Sequence, residues 1–150
     1  MDQNNIKVCE ITIDDAYDVH KRVLEFGELS SKQDFIDRYD GKKHVIIGAY
    51  LEEKLIGYLI AYDREQDGKS FYVWMAGVDN NYRRYGALKK MMNYVFSWAK
   101  DEGFSKITIK TRNNRREMIN FLSKNDFNFM FVEQKEDVRE NRIELEKDIL

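Results

Sequence analysis

The residues best suited to chemistry form one run, Val78-Asp79-Asn80-Asn81-Tyr82-Arg83-Arg84-Tyr85-Gly86-Ala87-Leu88, followed directly by Lys89 and Lys90. An amphipathic helical pattern begins at its end, with Met91, Met92, Val95, Phe96 and Ala99 on one face and Lys89, Lys90, Asn93, Ser97 and Lys100 on the other. Arg83, Arg84, Lys89 and Lys90 therefore gather at a helix N-terminus. The partial positive charge there makes cations unfavourable unless an anion is held among them. Free backbone N–H groups, a glycine permitting close approach and flanking cations are what a phosphate requires. Local physics leaves two readings open, a phosphate site or solvated arginines on an ordinary loop.

The elements around this run are legible from periodicity. Ile6, Val8, Ile11 and Ile13 indicate a first strand, and Thr12, three positions before Asp15, signals a helix start. Ala16, Val19, Val23 and Phe26 then recur at helical spacing as far as Gly27. Ser31 caps a second helix reaching Tyr39, with Phe35 and Ile36 inward and Gly41 ending it. Residues 44–51 and 55–62 flank the polar turn Glu52-Glu53-Lys54 as a hairpin. After a charged loop, Phe71 to Val78 is apolar on both faces, which marks a central strand. Gly103 closes the long helix, Ile107 and Ile109 form a strand, and Asn114 caps a helix carrying Met118, Phe121 and Leu122. Residues 127–132 and 143–149 make a closing hairpin. The expected fold is α/β (α+β), a mixed central sheet in the order β-α-α-β-β-β-α-β-α-β-β, as a single domain over residues 1–150.

Composition limits the function classes. The 25 basic and 27 acidic residues leave a net charge of -2, so no global field draws the chain to nucleic acid or anionic lipid. With one cysteine and no apolar run of signal-peptide or membrane-spanning kind, a reducing cytoplasm is expected. Cys9 is read as a small hydrophobe buried in the first strand, without a catalytic role. His20 and His44 imply no metal site. Trp98 and the Met91-Met92 pair read as packing residues.

The run after the central strand resembles the pattern V-x-P-x-Y-R-x-x-G-x-G/A of the GNAT acetyltransferases, which Val78, Tyr82, Arg83 and Gly86 match in spacing. Asn80 replaces the usual proline and Leu88 the usual second small residue; Ala87 is expected to supply some of the missing room. Gly48-Ala49-Tyr50 and Leu55-Ile56-Gly57-Tyr58 also resemble that family's second and third strands. The resemblance covers nearly the whole chain. It implies the GNAT acyl-CoA N-acyltransferase fold and acetyl-CoA as co-substrate. The coenzyme would be held by Ala76, Val78, Arg83, Arg84, Tyr85, Gly86, Ala87, Leu88, Lys89 and Asn114, with the backbone of Ala76, Gly77 and Val78 binding the pantetheine arm and polarising the acetyl carbonyl.

The resemblance implies N-acetyl transfer to a primary amine, on a small molecule or a protein, by direct attack in a ternary complex. A homodimer is compatible with this class. The alternative is a non-catalytic acyl-CoA-binding or sensing module of the same fold. An RNA-binding role for Arg112, Arg115 and Arg116 is disfavoured by the negative net charge and the lack of a stacking platform. The general base is unassigned: Trp74 and Met75 cannot serve, Tyr72 is weak, and Asp79 reads better as a cap. Aligning the family's second motif, N-x-x-A-x-x-x-Y-x-x-x-G-F, on Phe127 puts Arg115 at the asparagine, with Asn114 adjacent, and Leu122 at the tyrosine that serves as acid. Tyr85 and Tyr94 are the competing acids. Glu25, Glu28, Glu133 and Asp137 either line an acceptor groove or are solvated surface.

Overall fold

The computed structural model describes residues 5–23 and 30–149. In chain order they form β1 (Ile6–Glu10), α1 (Ile13–His20), α2 (Lys32–Tyr39), β2 (His44–Leu51), β3 (Lys54–Tyr62), β4 (Ser70–Val78), a 3-10 segment (Asn80–Tyr85), α3 (Ala87–Asp101), β5 (Lys106–Arg112), α4 (Arg116–Lys124), β6 (Asn128–Glu133) and β7 (Arg142–Asp148). The expected element order holds throughout. The strands make one seven-stranded sheet in the order β1-β2-β3-β4-β5-β7-β6. All neighbouring pairs are antiparallel except β4 and β5, which run parallel. β4 is thus the central strand, as its two apolar faces require. Among the described residues no helix is long and apolar enough to cross a membrane.

Alternating side chains divide the core between the two faces. One face carries Ile56, Leu59, Phe71, Val73 and Ile107 under Met91, Met92 and Val95 of α3. The other carries Tyr58, Ile60 and Tyr62 beneath Ala16 and Val19 of α1 and Phe35 of α2. Complete burial of each large apolar side chain contributes about 1.5–3 kcal/mol, so the two helical layers are fixed to the sheet independently. The two short helices are also capped as their sequences demand. Thr12 accepts from the Asp15 amide at 3.2 Å, and Ser31 with Asp34 forms a reciprocal capping box.

Three expectations are corrected. The first helix ends at His20: Val23 is buried but lies beyond the helix, while Phe26 and Gly27 lie outside the described residues. Cys9 is exposed, because the alternation of edge strand β1 turns Ile6 and Val8 inward and residues 7 and 9 outward. Asn114 does not cap α4. Arg115 occupies that position without a side-chain cap bond, and the Asn114 amide donates to Glu140 Oε1 at 3.1 Å.

Candidate active site

The site begins with a fault in the central sheet. The β4–β5 pairing covers only Ser70–Val73 against Lys106–Ile109 and then stops. At the same point the register of β3 against β4 shifts, from Ala61↔Val73 to Ile60↔Met75, so Trp74 is an extra residue. Trp74 and Met75 consequently both pack toward the α1–α2 face instead of alternating. Such a bulge bends its strand. Residues 74–78 leave β5, and a cleft opens between two strands of one sheet.

On one side this opening widens into a cavity of about 690 Å³, bounded by Ala76, Gly77 and Val78, by Arg83, Gly86, Leu88 and Lys89, and by Asn114–Met118 with Phe121. Arg83 is fixed within its own loop, with Nε donating to Val78 O at 3.3 Å and Nη2 to Asn80 Oδ1 at 3.2 Å. The asparagine in place of proline thus has a structural part, since its carbonyl holds the arginine that faces the cavity. Asp79 is buried and caps the 3-10 segment through the Asn81 amide at 3.0 Å; its other oxygen takes Arg22 at 2.8 Å. Gly86 initiates α3 at φ +77, where an added Cβ would have no neighbour within 4 Å. The N-terminus of α3 has no side-chain cap and no acidic residue in its first turn. Open space, uncapped amides and adjacent cations fit the diphosphate of a coenzyme.

The expected coenzyme residues divide accordingly. Ala76, Val78, Arg83, Gly86, Leu88, Lys89 and Asn114 line the cavity; Arg84, Tyr85 and Ala87 do not. Ala87 is buried beneath α3, so it packs the core and gives the cavity no room. Tyr85 lies beside Tyr82 at 6.3 Å and packs on the same core, and Arg84 is exposed on the 3-10 segment. Leu88 lines the wall and packs on the core as well. Of the adjacent α4 residues Phe121 and Leu122, Phe121 lines the cavity and Leu122 is fully buried. The alignment on Phe127 thus puts Arg115 and Met118 on the cavity wall and Leu122 in the core, and neither Phe121 nor Leu122 carries a hydroxyl. Tyr85 and Tyr94 line neither cavity; the Tyr94 hydroxyl is pushed up by burial and then by Glu10 and Cys9.

A second cavity, of about 380 Å³, adjoins the first and shares Ala76, Arg115 and Met118 with it. His20, Tyr72, Trp74 and Arg142 are among its walls. His20 is almost entirely buried, its Nδ1 lies 2.7 Å from the Tyr58 hydroxyl, and burial holds its pKa below the ordinary 6.5. Burial also raises the Tyr58 hydroxyl, so that group stays protonated. Tyr72 is raised by burial too, against the pull of Arg64 over its ring at 4.2 Å, and is a poor base. The sequence singled out neither His20 nor Phe121 for the site. The pairing of His20 with Tyr58 spans 38 positions and leaves no local pattern. Of the acidic candidates, Glu133 and Asp137 pair outward with Lys135 and Arg139, while Glu25 and Glu28 lie outside the described residues.

Comparison with known proteins agrees with this geometry. No curated protein sequence matches the chain. The ribosomal-protein-S18-alanine N-acetyltransferase of Escherichia coli superimposes at TM-score 0.82 with 15% identity, over 96% of this chain and 94% of that one. An aminoglycoside 6'-N-acetyltransferase from Enterococcus faecium gives 0.78 and 13%, over 96% and 97%. A GNAT family acetyltransferase from Elizabethkingia anophelis, with acetyl-CoA bound, gives 0.76 and 18%, over 97% and 99%. At these identities the likeness concerns the fold. The model of the acetyltransferase (GNAT) family matches residues 10–127. The chain therefore belongs to the GNAT family of acetyltransferases, enzymes that use acetyl-CoA as their acetyl donor.

Proposed function

We propose that the chain, acting as a single domain over residues 1–150, moves the acetyl group of acetyl-CoA to a primary amine by direct attack within one ternary complex. The observation that carries this reading is the meeting of the two cavities at Ala76, Arg115 and Met118, beside the β4 backbone that has parted from β5. Donor and acceptor can approach from opposite sides of the sheet.

Arg83, Lys89 and the free amides of α3 hold the diphosphate. The backbone of Ala76, Gly77 and Val78 orients the pantetheine arm and stabilises the carbonyl oxygen as charge develops on it. Acetyl-CoA supplies the activated thioester. His20 acts as general base: its depressed pKa leaves it neutral near pH 7, and it lines the acceptor cavity. The acceptor ammonium sheds one proton to solvent; as the C–N bond then forms and the C–S bond breaks, His20 receives the second nitrogen proton and coenzyme A leaves as thiolate. A thiol pKa of about 8.5 makes that anion tolerable without an acid, and water protonates it. No tyrosine on α4 is needed.

The absence of a hydroxyl at both Phe121 and Leu122 favours one second reading, a module that binds acyl-CoA without turnover. Initial rates over a panel of amines, measured beside a coenzyme titration, separate the two: binding without turnover selects the sensing module. Intersecting initial-rate lines and retained activity in Cys9→Ala are expected for direct transfer. Parallel lines or an acetylated enzyme would contradict it.

A further inference from the structure

Among the described residues, the charged side chains that line the second cavity are all cationic. Arg38 comes from α2, Lys110 and Arg112 from alternate positions of β5, Arg115 from the turn before α4, and Arg142 from β7. Among the described residues no carboxylate lines it. The neighbouring carboxylates are engaged with other cations, Glu140 with Arg112, Glu144 with Arg64 at 2.9 Å, Glu146 with Lys106 at 3.7 Å and Glu133 with Lys135 at 2.8 Å, although Glu144 is also the register partner of Lys110 and Glu133 that of Arg142. Arg112 and Arg142 are direct register partners on adjacent strands, a position in which like charges repel. Arg38 lies over the Trp74 ring at 4.9 Å, which keeps its guanidinium on the cavity wall.

An amine acceptor approaches as a cation, so this cavity suits it only if something else on the acceptor answers the walls. A polyamine or a polycationic sugar would meet repulsion along most of its length. We propose that the acceptor is a small primary amine carrying its own anionic group, a carboxylate or a phosphate. Arg38, Lys110 and Arg142 hold that group, and the amine is left near Ala76 and His20. Planar guanidinium groups bind both kinds of oxyanion through paired hydrogen bonds. This deepens the acetyl-transfer reading and rests on it.

The test compares matched amines: amino acids with their amides, aminoalkyl phosphates with the parent amino alcohols, and a polyamine and an aminoglycoside as cationic arms. Thiol release gives kcat/KM, and calorimetry in the presence of coenzyme A gives acceptor affinity whether or not turnover occurs. Anion-bearing members should be favoured by about tenfold or more, the size expected of one charge-assisted contact. The carboxylate and phosphate arms then identify the anion. Arg38→Gln and Arg142→Gln should erase the preference with acetyl-CoA affinity unchanged; Arg38, exposed on α2, serves alone should the β7 variant misfold. Equal or better use of neutral or cationic amines, or a preference that survives both substitutions, overturns the proposal. Failure of the wild-type protein to bind acetyl-CoA would instead defeat the acetyl-transfer reading.

Discussion

Arg83 is anchored before any ligand arrives, by two acceptors of its own loop. An arginine held in advance loses little freedom on binding, and a charge-assisted hydrogen bond contributes about 1.5–3 kcal/mol. Arg83→Ala should therefore weaken coenzyme binding roughly tenfold or more by calorimetry. Gly86→Val should do the same for a different reason: it strains a left-handed position and adds bulk where the cavity is open. Unchanged affinity in both variants would sink the diphosphate assignment.

His20 supports a prediction of the same pH sense in two observables with one cause. Burial lowers its folded pKa, so the fold favours the neutral ring. The associated stability is present above the unfolded value of 6.5 and is lost as pH falls through the folded value. Denaturant unfolding should thus give a smaller free energy near pH 5.5 than near pH 7.5, with the difference reduced in His20→Gln. In activity, kcat/KM for the acceptor should decline on the acid side, and His20→Gln should be slower by about 10² or more without that acid limb. An unaltered limb would remove His20 from the mechanism.

At the scale of elements, the bulge at Trp74 and the early end of β4–β5 pairing create the cleft, while α1 and α2 roof the acceptor side of the sheet. The donor cavity is bounded mainly by β4, α3 and the start of α4. Weakening α2 should therefore separate the two sides. Ser31→Ala removes a capping box, costing about 1 kcal/mol and lowering Tm by about 2–4 °C for a chain of this size. Coenzyme affinity should stay within twofold while acceptor KM rises. An equal loss on both sides would show that α2 supports the whole site.

For the whole molecule, the sheet ends in β6, all six of whose residues are exposed, Phe129, Met130, Phe131 and Val132 among them. An exposed apolar edge strand is a template for pairing. The expected partner is a second copy of this chain, edge to edge, in keeping with a homodimer. Sedimentation velocity should give a dimer at micromolar concentration, converted to monomer by Phe131→Glu. A wild-type monomer at all accessible concentrations would refute it.

Residues 78–90 were legible in order of sequence, because their features are local: glycine, arginine and the uncapped amides of a helix N-terminus lie within one turn of each other. Element order was legible for the same reason, since strand and helix periodicities are short-range. The acceptor side was not. The segments that form it read as mixed in charge, and only the tertiary fold pairs Glu133, Glu144 and Glu146 with other cations while bringing Arg38, Lys110, Arg112 and Arg142 to one cavity. The depressed His20, the bulge that opens the sheet, and the choice of Phe121 over Leu122 as the residue facing the cleft likewise depend on contacts between distant positions. The sequence pointed to the donor and the fold through its resemblance to the GNAT family; tertiary structure decided the charge of the second cavity, because electrostatic sign in a cavity is set by which neighbours are brought together there.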